Sequence, residues 1–296
     1  MTNAYITIEA LKVHLERSDI QNDDKLQSFC VNASRLFDRF TRRWFYPQIE
    51  TVYYDHPGQY NPSFEVDSLR STVAPYIPSN SELQLRRDLL ELTTLTTKNG
   101  TITITSADYH LLKGRSYNGT PYSRIVLDPN GTYTVFEYVN TPMKANAVTG
   151  IWGHHDDWSN AWRDSGDAVL DGSGINATVT TVTVTNASLF ETLQTIRIDS
   201  EYMYITARDE SAETLTVQRA VNGSTAATHA LAVQIDIFDP MPLVVETLYQ
   251  WGTYLVKLKN SPFGVGGTDR IGQTQIASLL GSDLTKLAKT YRYEVI

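Results

Sequence analysis

Apolar positions in the first part of the chain recur with a helical period. Thr7 stands before Ile8-Glu9-Ala10-Leu11 as an N-cap with an acidic first turn, and Asn22-Asp23-Asp24 opens a second run the same way. In that run Leu26, Phe29, Cys30, Ala33, Leu36, Phe37 and Phe40 step by threes and fours, the spacing of one buried helix face, and Pro47 closes the segment. From about residue 48 the period falls to two. Thr51-Val52-Tyr53-Tyr54, Leu83-Gln84-Leu85, Leu89 to Leu95 and Ile102-Thr103-Ile104 predict strands, with Lys98-Asn99-Gly100-Thr101 as a hairpin turn. Ser123 to Leu127, Thr132 to Tyr138 and Ala147 to Trp152 predict three more.

The stretch His154 to Asp171 is polar and aromatic with little periodicity, which predicts a linker or exposed loop. Beyond it Ala177 to Val184, Thr195 to Ile205, Thr214 to Val217 and Val233 to Ile237 are β-rich again. Helical spacing returns after Pro240 in Val244, Leu248, Trp251, Leu255 and Leu258, and a last helix is expected from about Gln273. Each pair of helices has one stripe to bury, so the economical arrangement packs the two chain ends together. The expected class is α+β: a discontinuous four-helix bundle with two β-rich segments inserted between helices two and three. The expected domains are a helical core with a C-terminal tail from 1–47 and 240–296, a β domain over 48–166, and a small inserted β domain over 167–239.

Composition narrows the function. At 296 residues with 41% hydrophobic positions, the chain can fill the cores of one large or several ordinary domains, which excludes disordered and fibrous classes. Its net charge of −8 argues against a basic nucleic-acid clamp. That charge is uneven. Residues 1–46 carry seven Lys+Arg against six Asp+Glu and residues 257–296 carry six against three, while the middle carries twelve against twenty-four. The single cysteine, Cys30, falls on the apolar stripe, where a buried, inert thiol is expected, and it excludes a disulfide framework. The opening residues have no basic and apolar leader pattern, and no stretch is long and apolar enough to span a membrane, so a reducing compartment is expected.

Candidate chemistry fails at the level of spacing. His154-His155-Asp156-Asp157 is the densest set of metal-ligand types, but neighbouring residues on extended chain point to opposite faces, so no metal site is expected. The adjacent acids Asp156/Asp157 and Asp209/Glu210 lack the separation a glycosidase pair requires. Gly264-Val265-Gly266-Gly267 follows a helix and lacks the Lys and Ser/Thr of a phosphate loop. Trp152, Trp158 and Trp162 suit either a sugar-stacking platform or a protein contact, and Trp152 alternates with Ile151 as a core strand residue would. Arg42 and Arg43, followed by Trp44, cap the second helix electrostatically or contact a partner or DNA backbone. No catalytic residue, cofactor or metal is expected, and the protein is read as a non-enzyme.

Three stretches carry a resemblance. Tyr5-Ile6-Thr7-Ile8-Glu9-Ala10-Leu11-Lys12, then Ala33-Ser34-Arg35 and Phe40-Thr41-Arg42-Arg43-Trp44-Phe45-Tyr46-Pro47, resemble the N-terminal signature of head-to-tail connector (adaptor, or head-completion) proteins of tailed double-stranded DNA bacteriophages, with Arg42 where a glycine is common. Pro240-Met241-Pro242, Arg270-Ile271-Gly272 and the run to Tyr291-Arg292 are similar to their closing helices. Glu201-Tyr202-Met203-Tyr204-Ile205 with Leu215-Thr216-Val217-Gln218-Arg219 and Gly223 to His229 resembles a small β module of phage structural proteins, with Ala220 and Ser224 replacing the usual Gly and Thr.

The resemblance implies a virion protein at the neck, assembled in the host cytoplasm as a ring, commonly of twelve copies, beneath the portal of the filled head. Its implied partners are other copies of itself, the portal protein, the next neck or tail-completion protein, and double-stranded DNA passing through the lumen; no membrane is involved. A tail of Tyr291, Arg292, Tyr293, Glu294, Val295 and Ile296 would dock on the portal, and Arg42, Arg43, Trp44, Trp158 and Trp162 are candidates for subunit or partner contacts. Two alternatives stay open: a carbohydrate-binding or depolymerising virion protein using the β domains, and another neck or tail-completion component.

Overall fold

The computed structural model describes residues 3–16, 23–57, 80–114, 119–260, 265–269, 272–275, 289, 291 and 292. Two compact units divide the chain: Met1–Tyr46 with Ser159–Ile296, and Pro47–Trp158.

The expected four-helix bundle is not what forms. The protein is mostly β, with two antiparallel six-stranded sheets, a two-stranded hairpin, and three α-helices among the described residues. The helices are α1 (Ile8–His14), α2 (Asp23–Thr41) and α3 (Pro242–Asn260). Where the fourth was expected to begin, Gly272–Gln275 is instead a strand paired with Val265–Asp269. The glycines of Gly264 to Gly267 disfavour helix, and their spacing suits a hairpin better. Residues 276–288, most of that expected helix, lie outside the described residues.

The Pro47–Trp158 unit holds β1 (Gln48–Tyr54), β2 (Glu82–Thr97), β3 (Ile102–Ile104), β4 (Tyr109–Leu112), β5 (Tyr122–Leu127) and β6 (Asn146–Trp152). They run in the order β1-β6-β2-β5-β4, with β3 also on β2. Alternation puts Val148 and Trp152 of β6 on the inner face with Leu83, Leu85, Leu95, Ile125 and Leu127. The turn from β2 to β3 is built by Lys98, Asn99 and Gly100, all at positive φ, as the Asn-Gly pair requires.

The other unit holds the second sheet: β7 (Trp162–Ala168), β8 (Thr181–Thr183), β9 (Thr195–Ile198), β10 (Glu201–Asp209), β11 (Thr214–Gln218) and β12 (Gln234–Phe238). The order is β7-β12-β9-β10-β11-β8. Ile196, Ile198, Met203, Ile205, Leu215, Val217, Ile235 and Ile237 form its apolar core with Phe190 and Val182. β7 arises inside the stretch expected to be a linker. It pairs with β12 through Trp162↔Phe238 and Asp164↔Asp236.

The helices belong to this unit and join its sheet by polar contacts. Asn3 donates to the Asn222 side chain at 2.6 Å, Thr7 Oγ1 donates to Glu191 at 2.5 Å, and Arg208 lies 3.5 Å from Glu9. Thr7 also caps α1, accepting from the Ala10 N–H at 3.2 Å. Helix packing is close and aromatic: Trp251 of α3 lies edge-on to Phe37 and Phe40 of α2, and a Cβ on Gly252 would press on Leu11 of α1 at 3.2 Å. The buried face of α2 includes Leu26, Cys30, Ala33 and Phe37, but also Ser34, Asp38 and Thr41.

Candidate functional site

Polar side chains gather in three places: the buried network under the β11–β12 loop, the end of α2, and the histidines at the end of the first sheet.

The first is built by the residues that carry the module resemblance. Glu201 begins β10 with no exposed surface, Arg219 follows β11, and His229 lies in the loop before β12. Arg219 clamps Glu201 with two parallel bonds of 2.7 Å. Its remaining donors reach the carbonyls of Asn176, Val179 and Ala227, so all five guanidinium N–H groups are used. Glu201 also accepts from the backbone N–H of Ala220 (3.1 Å) and Ala227 (2.8 Å). His229 sits between two carboxylates, with Nε2 2.9 Å from Glu201 and Nδ1 2.7 Å from Asp199. Burial alone would raise the Glu201 carboxyl, but the bonds from Arg219, the Ala227 N–H, His229 and the Ala220 N–H outweigh it and hold it at about 2.

This network fixes the loop above it. Ala220 and Asn222 take left-handed backbone, φ 53° and 54°, and Gly223 lies at φ 78°. Ala220 therefore adopts a conformation that glycine takes without strain. Gly174 completes the fit: its φ is 75°, and a Cβ there would run into the His229 carbonyl. The arrangement contains no nucleophile or open position; its chemistry is rigid loop support.

The second set surrounds the end of α2. Tyr5 donates its hydroxyl to Asp38 at 2.7 Å and accepts the Phe45 N–H at 2.9 Å. The Arg35 guanidinium lies over the rings of Tyr5 and Tyr46, 5.5 and 5.3 Å from their centroids, and donates to the Asn3 carbonyl. It is 3.0 Å from Asp38 Oδ2 without hydrogen-bond alignment. Burial therefore dominates and raises the Asp38 carboxyl to about 6, against the opposing pull of Arg35 and Tyr5. Cys30, higher on the same face, is buried, and burial pushes its thiol up to about 12, the behaviour of an inert core thiol.

Arg42 ends α2 in the left-handed conformation, φ 57°, and is exposed. Arg43 and Trp44 are half-buried beside it. Tyr291 packs edge-on against Phe45 with centroids 5.8 Å apart, and Arg292 is exposed. Tyr293, Glu294, Val295 and Ile296 lie outside the described residues.

The third set corrects the expectation of a solvated loop. His154 and His155 are buried, each 7% exposed. His154 Nδ1 is 3.0 Å from Asp88, and His155 Nδ1 accepts the Asp157 N–H at 3.1 Å. Among the described residues no group of three or more side chains is arranged to hold a metal. The tryptophans form no common platform. Trp152 is fully buried with its indole N–H on the Glu50 carbonyl, and Trp158 is half-buried, its backbone N–H donating to Thr120 Oγ1 at 3.4 Å. Trp162 is covered by Tyr202, Phe238 and Arg197, with centroid distances of 5.1, 5.3 and 4.7 Å.

Sequence reasoning overlooked Tyr5, Arg35 and Asp38 as a cluster. The available signal was a charged pair three residues apart, with Asp38 one position from the apolar Phe37. Comparison with protein-family models, curated proteins and solved structures finds no match for this chain. No described helix is long and apolar enough to cross a membrane.

Proposed function

We propose that this protein is a non-catalytic structural component of a tailed-phage virion, a ring beneath the portal that joins the DNA-filled head to the neck and extends the DNA channel. The observation that carries the reading is the behaviour of the residues on which the resemblance rests. Glu201, Arg219 and His229, separated by up to 28 positions, meet in one buried network, and Arg42 and Ala220 take left-handed backbone where the family patterns have glycine. Spacing that serves such a loop supports a shared module rather than a chance match. The portal partner would meet the tail, and DNA would pass an acidic subunit without being gripped.

Tyr291 rests on Phe45, so it anchors the tail to its own unit. The test therefore truncates the chain after Arg292. Heads assembled with this variant should fail to acquire tails while the purified protein keeps its far-ultraviolet spectrum. Normal tail joining removes the tail from the reading. A reconstruction of the virion that finds the chain's density anywhere but below the portal removes the reading itself.

A further inference from the structure

The helical part of the Met1–Tyr46/Ser159–Ile296 unit carries exposed cations that no acid among the described residues matches. Lys12, Arg35, Arg197, Arg208 and Arg219 each lie against a carboxylate. Arg39, Arg42, Lys289 and Arg292 are exposed and, like Arg163 on β7, form no ion pair among the described residues. The first four belong to the C-terminal end of α2 and to the segment that packs beside it. Arg39 and Arg42 close α2, and the Tyr291–Phe45 contact brings Lys289 and Arg292, each within two residues of Tyr291, to the same end. The negative end of the helix dipole accommodates the two α2 arginines. It does not account for the other pair, and like charges held together repel.

The complement lies in the same unit. Residues 159–256 carry twelve Asp+Glu against four Lys+Arg, whereas 1–46 and 257–296 together carry thirteen Lys+Arg against nine Asp+Glu. On the sheet, Glu210 is 58% exposed at its side chain although it lies 2.9 Å from Arg208, and Asp199 is 57% exposed although it lies 2.7 Å from His229. Asp209, exposed beside Glu210 in the β10–β11 turn, accepts among the described residues only from Ser211 and Ala212 of its own turn. A charge division of this kind fits a head-to-tail contact between identical chains, the type of interface that closes into rings.

We propose that the basic pole formed by Arg39, Arg42, Lys289 and Arg292 docks on the acidic sheet of a second copy, at the Asp209-Glu210 turn. The proposal rests on the ring reading above and supplies its subunit contact. Nucleic acid is the weaker partner for this pole. Four cations release counterions from only about four phosphates, and the chain's net charge of −8 repels a polyanion at long range.

The test mixes isotopically light and heavy protein, applies a zero-length carbodiimide cross-linker and maps the products. Mixed-isotope links from Lys289 to carboxylates of residues 159–246, lost at high salt, are expected. Arg39→Glu/Arg42→Glu/Arg292→Glu, which keeps Lys289, should weaken self-association in sedimentation by about a hundredfold. Asp209→Lys/Glu210→Lys should weaken it likewise, and mixing the two variants should restore it. Absent mixed links, indifference to the reversals, or no restoration on mixing overturns the proposal. So does tight binding of a short DNA duplex that the triple variant loses, since the pole would then serve nucleic acid. If these results fail while virion density still places a ring below the portal, the ring reading stands and this contact falls.

Discussion

Glu201 and Asp38 are both buried carboxylates in one unit, each beside an arginine, yet they are held in opposite ways. Glu201 accepts five hydrogen bonds and is held at about 2, while Asp38 accepts one from Tyr5, has its arginine out of alignment, and rises to about 6. Proximity to a cation is thus a poor guide to whether a buried carboxylate stabilises a fold. The number and alignment of donors decides.

The largest effect should come from removing the better-held group. Glu201→Ala leaves the buried Arg219 cation without its carboxylate and His229 Nε2 without an acceptor, and should destabilise the unit by about 3–5 kcal/mol in chemical denaturation. Asp38→Asn keeps an acceptor for Tyr5 and frees Arg35 to turn to solvent, so near pH 5, where Asp38 is mostly protonated, a change within about 1 kcal/mol is expected. Equal losses in the two variants would break the contrast.

Titration sharpens it next. Asp38 is raised from 3.8 in the unfolded chain to about 6, so its contribution is fully present below 3.8 and disappears as the pH climbs through 6. Glu201 is lowered from 4.5 to about 2, so its contribution is present above 4.5 and disappears as the pH falls toward 2. The unfolding free energy from urea titrations should therefore fall by about 2 kcal/mol between pH 4.5 and 7.5, the larger part of the roughly 3 kcal/mol that a shift of about two pKa units represents. Asp38→Asn should flatten that decline, and a wild-type-like profile in the variant would refute the assignment to Asp38.

Gly174→Ala tests the frame around Glu201 rather than its charge. Positive φ and the close His229 carbonyl should together cost about 2–3 kcal/mol, with faster hydrogen exchange at the Ala227 amide. The smallest effects are gains: Arg42→Gly and Ala220→Gly should each raise stability by up to about 1 kcal/mol, because glycine takes left-handed backbone without strain. Destabilisation at Ala220 would mean that its methyl packs usefully over the network.

Local signals in the chain were legible where local physics decides. The Thr7 cap, the α2 stripe, the Asn-Gly turn after β2 and the helical spacing after Pro240 all form as their spacing predicts. Tertiary choices were not legible. Thr132 to Tyr138 alternates like a strand, yet its N–H groups go to side chains and loop carbonyls, Thr132 to Asp108, Glu137 to Thr97 and Phe136 to the Asn80 carbonyl. β7 has almost no apolar pattern and exists because β12 offers it an edge, with Ser165 donating to the Ile235 carbonyl. The charged site residues showed themselves only as a motif; which carboxylate would be well held depended on backbone donors that no spacing reveals.

The split of one unit around the other has a consequence for synthesis. Pro47–Trp158 is contiguous and can close as soon as it has left the ribosome, but α1 and α2 lack their sheet and α3 until residues near 250 appear. At roughly 5–20 residues per second, the apolar stripe of α2, with Phe37 and Cys30, waits about 10–40 s without its final cover. Chains stalled near residue 200 should resist protease over 80–114 and 119–158 and be cut within 1–46, which makes the helical end the aggregation-prone part of a nascent chain whose finished form buries it.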